Sequence, residues 1–235
     1  MSQIENLHGT QVKDTYRWLE DLDSSETKAW VETQNKITFG YLEKTPQREK
    51  IRKRLTELWN YERFGVPFKE GGRYFFMRND GLQNQSVLYT MDRLDASPRV
   101  LLDPNNFSAD GTVALTEMSV SDDGNLLAYG TAGAGSDWQE WKVRDVFTGK
   151  DLADSIKWVK FSTAAWTRDS RGFYYSRFDE PKTGEEMQAV NYFEKLYYHR
   201  IGEQQSADLL VYERKDQKEW GFDGSVTEDG SYLII

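Results

Sequence analysis

Hydrophobic and polar positions along this chain change their period near residue 60. Upstream the spacing is helical. Trp30, Ile37 and Tyr41 share one face of a helix predicted from about Ser24 to Leu42, with Asp23 as N-cap and Glu26 three residues on. Thr45-Pro46 is expected to open a second helix, because proline suits the first helical position; Ile51, Leu55, Leu58 and Trp59 then fall at i, i+4, i+7 and i+8. Residues 1–22 read as polar and turn-rich, with a cluster Asp14-Thr15-Tyr16-Arg17-Trp18-Leu19-Glu20-Asp21 suited to docking on another surface. Beyond Tyr61 the pattern becomes strand-like. Strands are predicted at 73–78, 86–91, 112–118, 126–131, 139–147, 158–166, 172–177, 194–200, 208–213 and 225–235, with 179–191 as a flexible insertion. The expected division is therefore a helical segment 1–60 and a β domain 61–235.

Within the β domain one short pattern repeats. Val120-Ser121-Asp122-Asp123-Gly124 precedes Leu126-Leu127-Ala128-Tyr129. Trp166-Thr167-Arg168-Asp169-Ser170-Arg171-Gly172 precedes Phe173-Tyr174-Tyr175, and Val226-Thr227-Glu228-Asp229-Gly230 precedes Tyr232-Leu233-Ile234. Each is a hydroxyl residue, an acidic turn and a β-prone run, as tight hairpins require. A weaker copy is Lys69-Glu70-Gly71-Gly72 before Tyr74-Phe75-Phe76. Taking Gly72, Gly124, Gly172 and Gly230 as markers, the intervals are 52, 48 and 58 residues. A period near 50 with about four strands per unit indicates β-propeller blades, roughly three and a half here. Unrelated hairpins in an all-β domain are the other reading of the same turns. The chain stops at Ile235 inside an apolar run, so a truncated ring is expected; a short protein that closes its ring by dimerising is the alternative.

Charge narrows the partners. With 30 basic and 39 acidic residues the net charge is −9, which argues against nucleic acid and anionic membrane surfaces. Cysteine is absent, so disulfides and thiolate metal sites are excluded, and no apolar run approaches the ~20 residues of a membrane span. The first residues lack a signal-peptide pattern, which suggests a cytoplasmic protein. Only His8 and His199 could act as imidazole bases, and both read as non-catalytic. No Gly-x-Ser-x-Gly elbow occurs: Gly133-Ala134-Gly135-Ser136-Asp137 carries Ala134 two places before the serine. Asp122-Asp123 and Glu228-Asp229 belong to turns rather than to metal sites, and no phosphate loop is present. No cofactor is expected, and no complete reaction can be assembled from these residues.

Several stretches together resemble the N-terminal part of the prolyl oligopeptidase family of serine peptidases. They are Asp14-x-Tyr16-x-Trp18-Leu19-Glu20-Asp21, Trp30-Val31-Glu32-x-Gln34-Asn35-Lys36-Ile37-Thr38 and Gly81-Leu82-Gln83-Asn84-Gln85-x-Val87-Leu88-Tyr89. Leu102-Asp103-Pro104-Asn105, Asp110-Gly111-Thr112-Val113-Ala114-Leu115, Gly135-Ser136-Asp137-Trp138, Val159-Lys160-Phe161-Ser162 and Lys195-Leu196-Tyr197-Tyr198-His199 continue it, so the resemblance runs from about His8 to Ile235. Oligopeptidase B is similar at the opening and matches less well after residue 30.

The resemblance implies an all-β fold: the N-terminal half of a seven-bladed β-propeller, preceded by a helical segment of an α/β-hydrolase domain. It implies a peptidase that cleaves short peptides after proline, with the propeller gating access and the Ser, Asp and His triad in a C-terminal hydrolase domain of the same chain. Phe161 matches a family phenylalanine lining the pocket for the peptide residue two places before the proline. Asp137 matches an acidic residue facing that cavity. A family methionine expected after Trp220 is replaced by Gly221, with Phe222 as the residue that would fill its space. The alternative function is a stand-alone propeller that binds proteins or peptides without catalysis.

Overall fold

A computed structural model describes residues 3–133, 135–182, 184, 186 and 190–235. The chain divides into two compact units, Met1–Trp59 and Asn60–Ile235. Parts of the expected insertion at 179–191, namely residues 183, 185 and 187–189, lie outside the described residues, as does Ala134.

The first unit opens with a hairpin where only turns were expected. β1 (Gln3–Leu7) pairs antiparallel with β2 (Thr10–Asp14) across His8-Gly9. Neither strand is buried on any face, so the pair left no alternation to read. Arg17 joins the hairpin to the next turn through Glu5 (2.8 Å), Asp14 (2.9 Å) and Glu20 (3.2 Å). The aromatic cluster docks on α1 (Ser25–Leu42): Trp18 meets Trp30 edge-on at 6.3 Å, and the Thr27 hydroxyl donates to the Trp18 carbonyl. The N-cap of α1 is Ser24 rather than Asp23. Its Oγ accepts the Thr27 N–H at 3.1 Å, while Asp21 holds the Ser24 N–H. The second helix, α2 (Arg48–Trp59), begins two residues after Pro46, because Thr45 to Gln47 form a turn that precedes it. Its stripe of Ile51, Leu55, Leu58 and Trp59 is exposed.

The second unit is a succession of antiparallel meanders. The first sheet runs β3 (Arg63–Phe64), β5 (Arg73–Asn79), β6 (Val87–Met91), β7 (Arg99–Leu102), with β4 (Phe68–Glu70) on the same edge of β5 as β3. The second is β8 (Val113–Val120), β9 (Leu126–Gly133), β10 (Gln139–Asp145), β11 (Asp151–Val159). The third is β12 (Ala165–Trp166), β13 (Gly172–Arg177), β14 (Lys195–Arg200), β15 (Leu209–Tyr212), and a hairpin of β16 (Ser225–Val226) and β17 (Leu233–Ile234) opens the next. First strands of successive sheets touch, β8 to β12 and β12 to β16, as in the blades of a propeller.

Two expected strands are corrected. The strand at 158–166 is instead β11, ending at Val159, and residues 160–164 cross to the third sheet. The outer strand carries Asp151, Asp154, Ser155 and Lys157, so its alternation is masked by polar residues that the fold uses. The stretch 225–235 is two short strands around a turn, not one strand.

Both faces of the second blade are buried. Leu127 and Tyr129 of β9 join Phe75, Leu88, Leu102 and Val146 on one side; Ala128 joins Trp141, Val143, Ile156, Trp166 and Phe173 on the other. Period-two alternation thus divides one apolar run between two cores. Each fully buried large side chain contributes roughly 2–3 kcal/mol.

The repeated motif forms one turn three times. Ser121, Thr167 and Thr227 each donate a hydroxyl hydrogen bond to the aspartate two residues on (2.6, 2.7 and 2.6 Å), and Asp123, Asp169 and Asp229 accept the N–H of Asn125, Arg171 and Ser231. The left-handed position falls on Gly124, Ser170 and Gly230. Gly172, taken as the marker of the second copy, is instead the first residue of β13; a Cβ there would lie 2.3 Å from the His199 carbonyl oxygen.

A buried ionic cluster crosses the seam between the second and third blades. His199 on β14, wholly buried, meets Asp208 through Nδ1 at 2.7 Å and Asp154 of β11 through Nε2 at 3.0 Å. Tyr175 donates to Asp208 at 2.6 Å, and the Gly202 N–H donates to Asp154 at 2.7 Å. Burial opposes charge on the imidazole, but the two carboxylates outweigh it and raise its pKa from 6.5 to about 9.

Candidate functional site

Antiparallel meanders send alternate connections to opposite ends of the blades. One end carries the short turns 121–125, 146–150 and 167–171; the other carries 135–138, the crossover 160–164, the described residues that connect β13 to β14, and the connection 213–224. Of the five described non-glycine residues with positive φ, three lie at this second end: Trp158 (64°), Phe161 (52°) and Phe193 (57°). Non-glycine residues with positive φ, gathered among connections, make this end the candidate surface.

The crossover is held from beneath. Ser162 Oγ accepts the Ser176 N–H at 2.8 Å, and the Phe178 N–H donates to the Trp158 carbonyl at 3.0 Å. Trp138 packs edge-on against Trp158 (5.6 Å) and Phe178 (6.2 Å). Lys160 is buried with its ammonium 3.9 Å from the Trp138 ring centre, and it donates to Asn191 Oδ1 at 2.9 Å. Burial pushes the Lys160 ammonium below the ordinary lysine value, and Asp137 opposes that shift. With its backbone fixed in this way, Phe161 stands 70% exposed.

Phe161 faces a cleft of about 410 Å³ whose far wall is the segment Glu219 to Asp223. Trp220 is half exposed, with the Arg214 guanidinium 4.8 Å from its ring centre. Phe222 packs edge-on against Tyr212 at 5.1 Å, its carbonyl accepts from Ser176 Oγ, and its N–H donates to Glu194 Oε2 at 2.6 Å. Burial raises the Glu194 carboxyl above the usual range. The Phe222 N–H lowers it, and Asp223 raises it further. Gly221 lies over this carboxylate: a Cβ there would meet Glu194 Oε2 at 2.9 Å.

Of the residues singled out from the sequence, Phe161 and Phe222 line one cleft and Gly221 stands in its wall. Asp137 does not line that cleft; it acts on Lys160 behind it. Glu194 and Asn191 gave no sequence signal, since each is a single polar residue in a long connection. His199 has both nitrogens on carboxylates and His8 lies in the β1–β2 turn, and among the described residues no serine hydroxyl bonds to either. The aspartates of the repeated turns are engaged within those turns, and no group of three or more His, Asp or Glu among the described residues could hold a metal ion. Among the described residues no helix is long and apolar enough to cross a membrane.

Comparison with known proteins places the chain in a family. Residues 1–235 match the family model described as prolyl oligopeptidase, N-terminal β-propeller domain. A prolyl endopeptidase of Elizabethkingia meningoseptica is 40% identical over 235 residues, covering 100% of this chain and 33% of the relative. One of Elizabethkingia miricola is 41% identical over 237 residues with the same coverage. In solved structures the chain is similar to prolyl oligopeptidase B from Galerina marginata bound to a 25mer macrocyclization substrate. The TM-score is 0.84 at 27% identity, covering 99% of this chain and 35% of that one. The chain thus spans about a third of the length of the relatives it matches.

Proposed function

This chain belongs to the prolyl oligopeptidase family, whose N-terminal β-propeller domain it carries, and on that premise we propose that it serves a serine endopeptidase that hydrolyses short peptides after proline. In this reading 1–60 is the N-terminal segment of an α/β-hydrolase domain, and 61–235 supplies about three and a half of seven blades. The exposed stripe on α2 would pack against that hydrolase domain. The triad belongs to the hydrolase domain, and the propeller restricts entry to short peptides. Phe161 and Phe222 contact the peptide residue two places before the proline, while Asp137, through Lys160, steadies the crossover that presents Phe161. The enzyme works in the cytoplasm, in keeping with a chain free of cysteine.

The observation that carries this proposal is the match of the whole chain to relatives named prolyl endopeptidase. Its test is to incubate the full-length gene product with a fluorogenic peptide of the form acetyl-Xaa-Gly-Pro-reporter. Release of the reporter after proline, abolished by a serine-directed phosphonate, is the expected result. Peptide binding without any cleavage would instead favour a stand-alone binding module.

A further inference from the structure

Glu194 is a buried carboxylate with no cation of its own. It is 7% exposed, and its bonded oxygen meets only the backbone N–H of Phe222. Nearby cations are engaged elsewhere: Lys195 holds Asp179 at 2.6 Å, Arg214 holds Asp216 at 2.8 Å, and Lys160 turns to Asn191 and Trp138. The cleft wall adds Glu219 and Asp223, and among the described residues no lysine or arginine lines it. Asp223 is satisfied only by neutral donors, Thr163 Oγ1 at 2.9 Å and the Gly224 N–H at 3.1 Å. A buried carboxylate without a cation is costly to ionise, and either protonation or a cation from outside the fold relieves that cost.

The remaining lining suits a cation. Phe161 is largely exposed, and Trp220, whose ring already carries the Arg214 guanidinium, is half exposed; aromatic faces attract ammonium and guanidinium groups. Gly221 leaves open the space over Glu194 Oε2 that a side chain would occupy. We propose that this cleft receives a cationic group of the peptide substrate, with Glu194 as the specificity-determining residue that pairs with it. The inference rests on the peptidase reading and names the substrate class of that same site. A lysine or arginine side chain two places before the proline, or a free α-ammonium at that residue, supplies the group.

The test uses the full-length gene product and four peptides: acetyl-Lys-Gly-Pro-reporter, its norleucine and glutamate counterparts, and the norleucine peptide with a free amino end. The expected result is a kcat/KM about tenfold higher for lysine than for norleucine, carried mainly in KM, with glutamate the poorest. A gain for the free-amine peptide alone would identify the α-ammonium as the cation. In Glu194→Gln, which keeps an oxygen for the Phe222 N–H, the preference falls to near unity. Gly221→Val, which fills the space over the carboxylate, should remove it as well. Equal rates for lysine, free-amine and norleucine peptides, or a preference unchanged in Glu194→Gln, would overturn the inference while leaving cleavage after proline intact. If no peptide is cleaved, the peptidase reading falls, and binding of the same peptides, followed by tryptophan fluorescence, decides the cleft. Tenfold tighter lysine binding that is lost in Glu194→Gln supports it; equal binding overturns it.

Discussion

Ser121, Thr167 and Thr227 close their turns with the same hydroxyl and the same aspartate, yet the left-handed residue is glycine in two copies and Ser170 in the third. In that copy the nearest glycine is Gly172, whose absent side chain serves close packing in β13 rather than the turn. A stricter demand falls on Gly71. Its φ is +53°, and a Cβ would lie 1.9 Å from the backbone of Asp123, so the neighbouring turn has no room to yield. Gly71→Ala is expected to cost about 1–3 kcal/mol of unfolding free energy, read from the urea midpoint. Phe161 should behave oppositely. Because its ring is largely exposed, Phe161→Ala should change stability by no more than about 0.5 kcal/mol. On the proposed function it should raise KM for prolyl peptides several-fold. A fall in thermal midpoint with unchanged KM would return Phe161 to a purely structural role.

At the scale of elements, the seam between β11 and β14 depends on a protonated histidine. The folded pKa of His199, about 9, lies above its ordinary 6.5, so the folded state holds the proton more tightly. Its contribution is complete below about pH 6.5 and is lost as pH rises through about 9. Thermal midpoints should therefore decline across that window, and the decline should vanish in His199→Ala. That variant leaves Asp154 and Asp208 buried without their shared cation, at a cost of about 3–5 kcal/mol. The same seam explains why β11 was misplaced from sequence. A strand written Asp-Leu-Ala-Asp-Ser-Ile-Lys-Trp-Val shows little alternation unless the reader knows that Asp154 points inward to a histidine 45 residues away. The start of α1 erred by one residue for a related reason: Asp21 occupied the Ser24 N–H and left the capping oxygen to Ser24.

At the scale of the molecule, the number and order of the central strands were legible because hairpin turns and aromatic runs are local signals. The cleft was not. Its walls come from residues 161, 194 and 219–223, far apart in sequence and joined only when the crossover and two long connections meet at one end of the blades. Resemblance drew attention to Phe161 and Phe222, but it supplied nothing about Glu194, whose significance lies in the charges missing around it. For the same reason an engineered preference should transfer with few changes: Glu194→Lys is expected to turn the charge preference toward acidic peptides, measured as the glutamate-to-norleucine ratio of kcat/KM.

The turns at the opposite end of the blades are joined one to the next. Gly71 sits against Asp123, Arg168 reaches back to Asp122 at 2.8 Å, and its Nε reaches on to the Thr227 carbonyl at 3.2 Å. Under tension such joints bear load in series, so the weakest yields alone while the others hold. The left-handed positions at residues 124, 170 and 230 are separated by 46 and 60 residues. Pulled by optical tweezers from Asn60 and Ile235, the second unit should lengthen in discrete steps of about 16 and 20 nm, at roughly 3.4 Å per freed residue. The step that breaks the His199 seam should need the greatest force at neutral pH and less above pH 9.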